Sequence, residues 1–201
     1  MMKKFELTDE TCEVVWKTLH RISALMDFSD VKAGDLGGFV EKEENLSQTG
    51  NAWIYDNGCV FDNAWVSGDA KVSGNAWVFN NGRVYGDAWV SGNAKVSGNA
   101  LVYGDALVYG DAWVSARTHY LTIGPIGSRN DTTTFFRSKN KEIFVKCGCF
   151  NGTIDEFERA VIETHGDSPD GRAYKLAIEL AKTRIDLTGD DEALKDAGVE
   201  V

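Results

Sequence analysis

The sequence predicts a mainly β protein. A three-sided parallel β-helix (51–116) is flanked by an N-terminal β cap (1–50) and a small C-terminal α+β module (117–188), with an acidic, disordered tail at 189–201. Three observations predict this. A β-branched aliphatic recurs every six residues from Ile54 to Val114 without a slip. The composition sets 21 glycines against 2 prolines, which asks for positive φ repeatedly but seldom for a rigid turn. At Ala116-Arg117 the rhythm stops, and a hairpin pattern and two helical patterns replace it.

The repeating unit reads Asn/Asp-Ala-x-Val-x-Gly. Two residues before each aliphatic stands Ala or Gly, from Ala52 to Ala112. Two residues after stands Asp56, Asp62, Gly68, Gly74, Asn80, Gly86, Gly92, Gly98, Gly104 or Gly110, all types that tolerate the left-handed region. Strand side chains alternate between faces, so Ala and Val point inward around one outward residue. A six-residue side cannot bury itself, but three sides close an 18-residue coil, and stacked coils share a valine core. From Ala52 to Ser115 the repeat runs 64 residues, about 3.6 such coils.

Residues 18 apart then stack. The outward columns read Trp53-Lys71-Trp89-Leu107, Cys59-Trp77-Lys95-Trp113 and Trp65-Arg83-Leu101, with Phe61 over Phe79 and Tyr85 over Tyr103. Trp alternating with cations predicts cation–π ladders. The same aromatics predict an interface between copies, with Trp65, Trp77, Phe79, Trp89 and Tyr103 as its contacts and a side-by-side homotrimer as its form.

The N-terminal segment reads as a cap over an open coil end. Phe5-Glu6-Leu7 is a strand followed by a turn at Thr8–Thr11, Leu19–Met26 is a second apolar segment, and Ala33–Val40 is a glycine-rich corner. Gly34, Gly37 and Gly38 lack the Gly-Lys-Ser/Thr that a phosphate loop requires. Phe-Glu-Leu-Thr-Asp-Glu-Thr at 5–11, Asp35–Glu41, Glu44–Ser47 and the repeats after them resemble phage- and prophage-encoded hexapeptide-repeat proteins, loosely labelled polymer-forming or transferase-like. The hexapeptide unit itself resembles that of left-handed parallel β-helices in bacterial acyltransferases. The resemblance implies the left hand of the helix, a homotrimer and a bacterial cytoplasmic setting, and no established chemistry.

Beyond the repeat, Tyr120–Ile123 reads as a strand and Gly124–Asp131 as a loop. Thr132–Arg137 and Ile143–Cys147 form a hairpin. Thr153-x-x-Glu156 is a capping box opening a helix with an Ile154, Phe157, Val161, His165 stripe, stopped at Gly166. A second helix covers about 172–185. The glycine-containing loop nominates an anion or nucleotide site built from Ser128, Arg129, Asn130, Asp131, Thr133 and Arg137, and His165 is counted with these ligand-binding residues. The plain alternative is a solvated β-connection.

Composition narrows the function classes. A net charge of −10 argues against bulk binding of nucleic acid. No run approaches the roughly 20 apolar residues of a membrane span, and the N-terminus lacks the apolar stretch of a secretory signal. Four scattered cysteines suggest a reducing compartment. Cys147-Gly148-Cys149 with His165 falls short of a zinc ligand set, and the same residues lack the third group of a nucleophile triad. The segment 117–188 alone carries a slight positive balance, 11 basic against 10 acidic residues. The sequence therefore predicts a non-enzymatic binding protein without metal or cofactor. Its module binds a host protein or sequesters a small anionic or nucleotide ligand, as a counter-defence role would require. The alternative is a hexapeptide-type acyltransferase using acyl-CoA, with His119 as base; the repeats themselves contain no histidine.

Overall fold

In the computed structural model, residues 2–188 are described; the tail expected at 189–201 lies outside them. Eleven two-residue strands, β4 (Trp53–Ile54) to β14 (Trp113–Val114), make the predicted solenoid. Each strand hydrogen-bonds in parallel to the strand 18 residues on, so Val60, Val78, Val96 and Val114 form one vertical file. The three outward columns are those the period predicts: Trp53↔Lys71↔Trp89↔Leu107, Cys59↔Trp77↔Lys95↔Trp113 and Trp65↔Arg83↔Leu101. Every repeat valine and alanine from Val66 to Val114 is buried.

The corners turn as expected. Asp56, Asp62 and Asn80 have positive φ, as does each glycine at the equivalent positions from Gly68 to Gly110. The Asn/Asp beside them has a use of its own. Asn75 Nδ2 donates to Asn93 Oδ1 at 3.3 Å and Asn93 Nδ2 to Asp111 Oδ1 at 3.1 Å, a polar ladder up one edge.

Coiling begins before the strict repeat. β3 (Leu36–Val40) pairs in parallel with β5 (Cys59–Val60), and Leu46 bridges Val66. The glycines of this corner allow close approach: a Cβ on Gly38 would lie 2.4 Å from the Gly58 carbonyl oxygen and one on Gly37 2.7 Å from that of Ile54. β1 (Phe5–Val14) and β2 (Lys17–Ala24) form an antiparallel hairpin that continues the same sheet. The turn expected at Thr8–Thr11 is instead an irregularity within the single strand β1, between Leu7 and Thr11.

The C-terminal module is a four-stranded antiparallel sheet, β15 (Tyr120–Ile126), β16 (Asp131–Arg137), β17 (Ile143–Cys147) and β18 (Phe150–Thr153), packed against α1 (Ile154–His165) and α2 (Pro169–Arg184). The Thr153 capping box is present. α2 starts earlier than periodicity suggests because Ser168 caps it and Pro169 takes its first position, where the missing N–H costs nothing. Tyr120 and Phe136 belong to the valine core cluster, so the module plugs one end of the solenoid while Phe5, Ile22 and Trp53 close the other. No helix among the described residues is long and apolar enough to cross a membrane.

Candidate functional site

The three solenoid faces have different fates. On the face of Cys59, Trp77 and Lys95, the N-terminal hairpin supplies Val14 and Leu19 to a cluster with Phe39, Phe61, Phe79 and Trp113. Lys17 at the hairpin tip bonds Glu41 at 2.9 Å and Asp62 at 2.8 Å, which ties the tip to a coil corner. This overturns two of the expected interface contacts. Phe79 is 0% exposed, stacked on Phe61 at 5.1 Å, and Trp77 is half-buried beside it. The chain's own hairpin occupies the surface that the aromatic pattern assigned to another copy. Lys95 is held over Trp77 at 4.8 Å and Trp113 at 5.4 Å, the cation–π ladder expected in this column.

On the second face, Phe28 packs edge-on against Trp53 at 5.4 Å, and the loop around it carries Asp30. Lys71 departs from the expected ladder. It turns to the Asp30 carboxylate at 3.2 Å and the Tyr55 ring at 5.6 Å, because a carboxylate within reach attracts the ammonium more strongly than an indole face. Trp89 stays 47% exposed.

Among the described residues, nothing comparable covers the third face. Trp65, Arg83 and Leu101 run up it, with Tyr85 stacked on Tyr103 at 5.4 Å and 11°. A hollow of about 690 Å³ follows this column and includes Arg117 in its wall. It adjoins a second hollow of about 300 Å³, where Arg117 and Leu101 meet Tyr120, Thr122 and Arg184 of the module. Arg83, Arg117 and Arg184 thus reach one groove from a coil, the junction and the end of α2. None of the described lining residues is acidic. Tyr120 closes the floor against Tyr103, and burial pushes its phenol well above the ordinary range. Such a surface offers aromatic faces for stacking and guanidinium forks for an anion.

The loop nominated from sequence is dispersed by the fold. Ser128, Arg129 and Asn130 lie in the exposed β15–β16 turn, and the Asp131 carboxylate accepts the Thr132 N–H at 2.7 Å. The Arg129 guanidinium lies across Gly148 in the β17–β18 turn. Thr133 is buried, donating to Cys147 Sγ at 3.2 Å. Arg137 is 0% exposed, with Nη1 3.1 Å from His119 Nδ1. β16 is covered on both faces, with Phe135 in the module core and Phe136 in the solenoid core, so Thr133 and Arg137 are enclosed with it while the turn residues face water. Neither joins Arg129 in an anion site. His165 packs on the Tyr174 ring at 5.5 Å and serves the helix stripe. Sequence reading missed Arg83, Arg117 and Arg184 as a set. They lie 34 and 67 residues apart, and only the repeat register and the docking of α2 bring them together.

His119 does not stand open as a base. It is buried, and its Nδ1 accepts the Ser115 N–H at 3.2 Å. His20 Nδ1 lies 3.2 Å from the Thr8 carbonyl oxygen. No histidine is among the described residues lining the groove.

Two comparisons bear on this geometry. Residues 94–110 and 102–116 match the YdcK β-solenoid repeat. The chain is a β-solenoid repeat protein. It is 36% identical over 81 residues to "Uncharacterized acetyltransferase YdcK" of Escherichia coli (strain K12), a match covering 36% of this chain and 25% of that relative. The chain therefore matches about a quarter of the relative's length.

Proposed function

We propose that the protein is a non-catalytic binding protein whose third solenoid face holds a small anionic, nucleotide-like ligand. The observation that carries this reading is the convergence of Arg83, Arg117 and Arg184 beside Trp65 and the Tyr85–Tyr103 stack on the face that the cap leaves open. In this reading the rings stack on a planar base and the guanidinium groups meet its phosphates. The ligand class is the one the sequence suggested, but the site moves from the 128–131 turn to the groove. With Trp77 and Phe79 covered, contact with another copy falls to Trp89 and the rim of the groove.

The acyltransferase reading is supported by the wording of the relative's name. The geometry favours binding, since His119 is buried and no histidine is among the described residues lining the groove to serve as its base.

Calorimetric titration with ATP, GTP and cyclic AMP tests the proposal, with acetyl-CoA turnover measured alongside. At least one nucleotide is expected to bind, and Arg117→Ala to weaken it about tenfold or more, as loss of a charge-assisted contact does. Arg129→Ala is expected to leave affinity unchanged. Binding of none of the three nucleotides, or loss of binding on Arg129→Ala alone, would refute it. Turnover of acetyl-CoA would favour the enzyme.

A further inference from the structure

A third cavity, of about 170 Å³, lies where the module meets the end of the repeat, and none of its described lining residues belongs to the arginine groove. The turn between β16 and β17 builds it. Ser138 bridges Ala112, and the Lys139 N–H donates to the Asp111 carbonyl at 2.8 Å, so the turn is held against the coil corner at Gly110-Asp111. Part of the lining is aromatic: Tyr109 meets Phe136 edge-on at 6.0 Å, and Phe136 stacks with Phe144 at 6.4 Å. The rest is mostly polar and includes Asp111, Asn140 and Asn151. One group of the lining is unsatisfied. The Tyr109 hydroxyl oxygen is buried without a hydrogen-bond partner among the described residues. Such groups are rare in folded proteins and call for a partner.

The lining narrows what fits. A cavity of about 150 Å³ takes a benzene-sized ring, so this one takes a single six-membered ring whose substituents reach its mouth. The aromatic surface favours an apolar face on that ring. A bare hydrocarbon ring would leave Asp111 and the two asparagine amides without partners. An anion would meet the Asp111 carboxylate, and the nearby ammonium groups are engaged by rings, Lys139 over Trp113 at 5.7 Å and Lys146 over Tyr109 at 5.5 Å. A cation would meet those same two ammonium groups. What remains is a neutral ring carrying hydroxyls, each of which both donates and accepts, as an asparagine amide does. We propose that this cavity is a monosaccharide site. The C–H face of the sugar lies on Tyr109 and Phe144, its hydroxyls bond Asn140, Asn151 and the Asp111 carboxylate, and one of them meets the Tyr109 hydroxyl. The site stands apart from the groove and does not depend on the nucleotide reading.

Saturation-transfer NMR on the full-length protein tests D-glucose, D-galactose, D-mannose and N-acetyl-D-glucosamine, with phenol as the aromatic comparator. At least one sugar is expected to take up saturation, and its Kd is then measured in Asn140→Ala, Asn151→Ala and Tyr109→Phe. Each variant removes one hydrogen-bonding group and should weaken binding about fivefold or more. Both asparagines are exposed, so their variants should keep the parent's melting midpoint. Arg117→Ala, in the groove, should leave sugar affinity unchanged. Saturation of phenol but of no sugar, or of none of the five compounds, would overturn the proposal. So would a sugar Kd that is unchanged in both asparagine variants, or one that is lost in Arg117→Ala.

Discussion

Replacing Phe79 by Ala separates packing from assembly. Phe79 is fully buried. It stacks on Phe61 at 5.1 Å and 9° and meets the Trp77 ring edge-on at 6.5 Å, with Val14 and Leu19 of the hairpin in the same cluster. Truncating a core Phe to Ala typically costs about 3–5 kcal/mol, the lost transfer energy plus the cavity left behind. The site collapses poorly, because the β-solenoid on one side is a stack of hydrogen-bonded coils, so the upper part of that range applies. For a chain of this size about 1 kcal/mol moves the melting midpoint by about 2–4 °C, so a cost of about 4–5 kcal/mol gives a fall of about 8–20 °C. Near-UV circular dichroism during heating measures the midpoint, light scattering the mass in solution, and hydrogen exchange the protection of residues 5–24. A large fall in midpoint, loss of protection in the hairpin and an unchanged mass are expected. A midpoint within about 2 °C of the parent, together with a lower mass, would show that Phe79 faces another copy and that the packing argument is wrong.

Two further outcomes follow from the coil geometry and the cap. Gly92 has φ +73°, and a Cβ there would lie 2.8 Å from the Gly110 nitrogen, whereas at Gly104, φ +64°, nothing lies within 4 Å. Gly104→Ala should therefore cost only the left-handed penalty of about 1–2 kcal/mol, and Gly92→Ala measurably more; equal losses in urea titration would show that coil spacing is not set by the corners. Lys4 is buried against the first coil and the Phe28 ring, its Nζ donating to the Ala52 carbonyl at 2.8 Å, and burial lowers its pKa to about 8. Between pH 8 and the ordinary lysine value near 10.5, the unfolded chain holds a proton that the folded chain has released, so stability should rise with pH across that window. Lys4→Met should remove this rise, and an identical slope in both proteins would refute the assignment.

The repeat was legible because its signal is local and redundant. Each Ala-x-Val names its own inward residues, each Gly or Asn its own corner, and eleven copies fix the register. The same clarity misled at Trp77 and Phe79, where an outward position was read as a surface position. Whether an outward residue meets water depends on which segment crosses it, and β1 and β2 carry no mark of their destination. The anion loop failed for a related reason. Ser128 to Arg137 are contiguous in sequence, but β16 is sandwiched between the solenoid core and the module core, which encloses Thr133 and Arg137 and leaves Arg129 outside.

The amino-acid order alone determined the six-residue side, the 18-residue coil, the stacked columns, the Thr153 cap of α1 and the point at which the repeat ends, because hydrophobic period and permitted φ act over a few residues. Tertiary structure alone decided which face the cap leaves open and that Arg83, Arg117 and Arg184 share a groove. Those pairings depend on where the hairpin and α2 come to rest, and that is set by the apolar surface left over once the coils have closed.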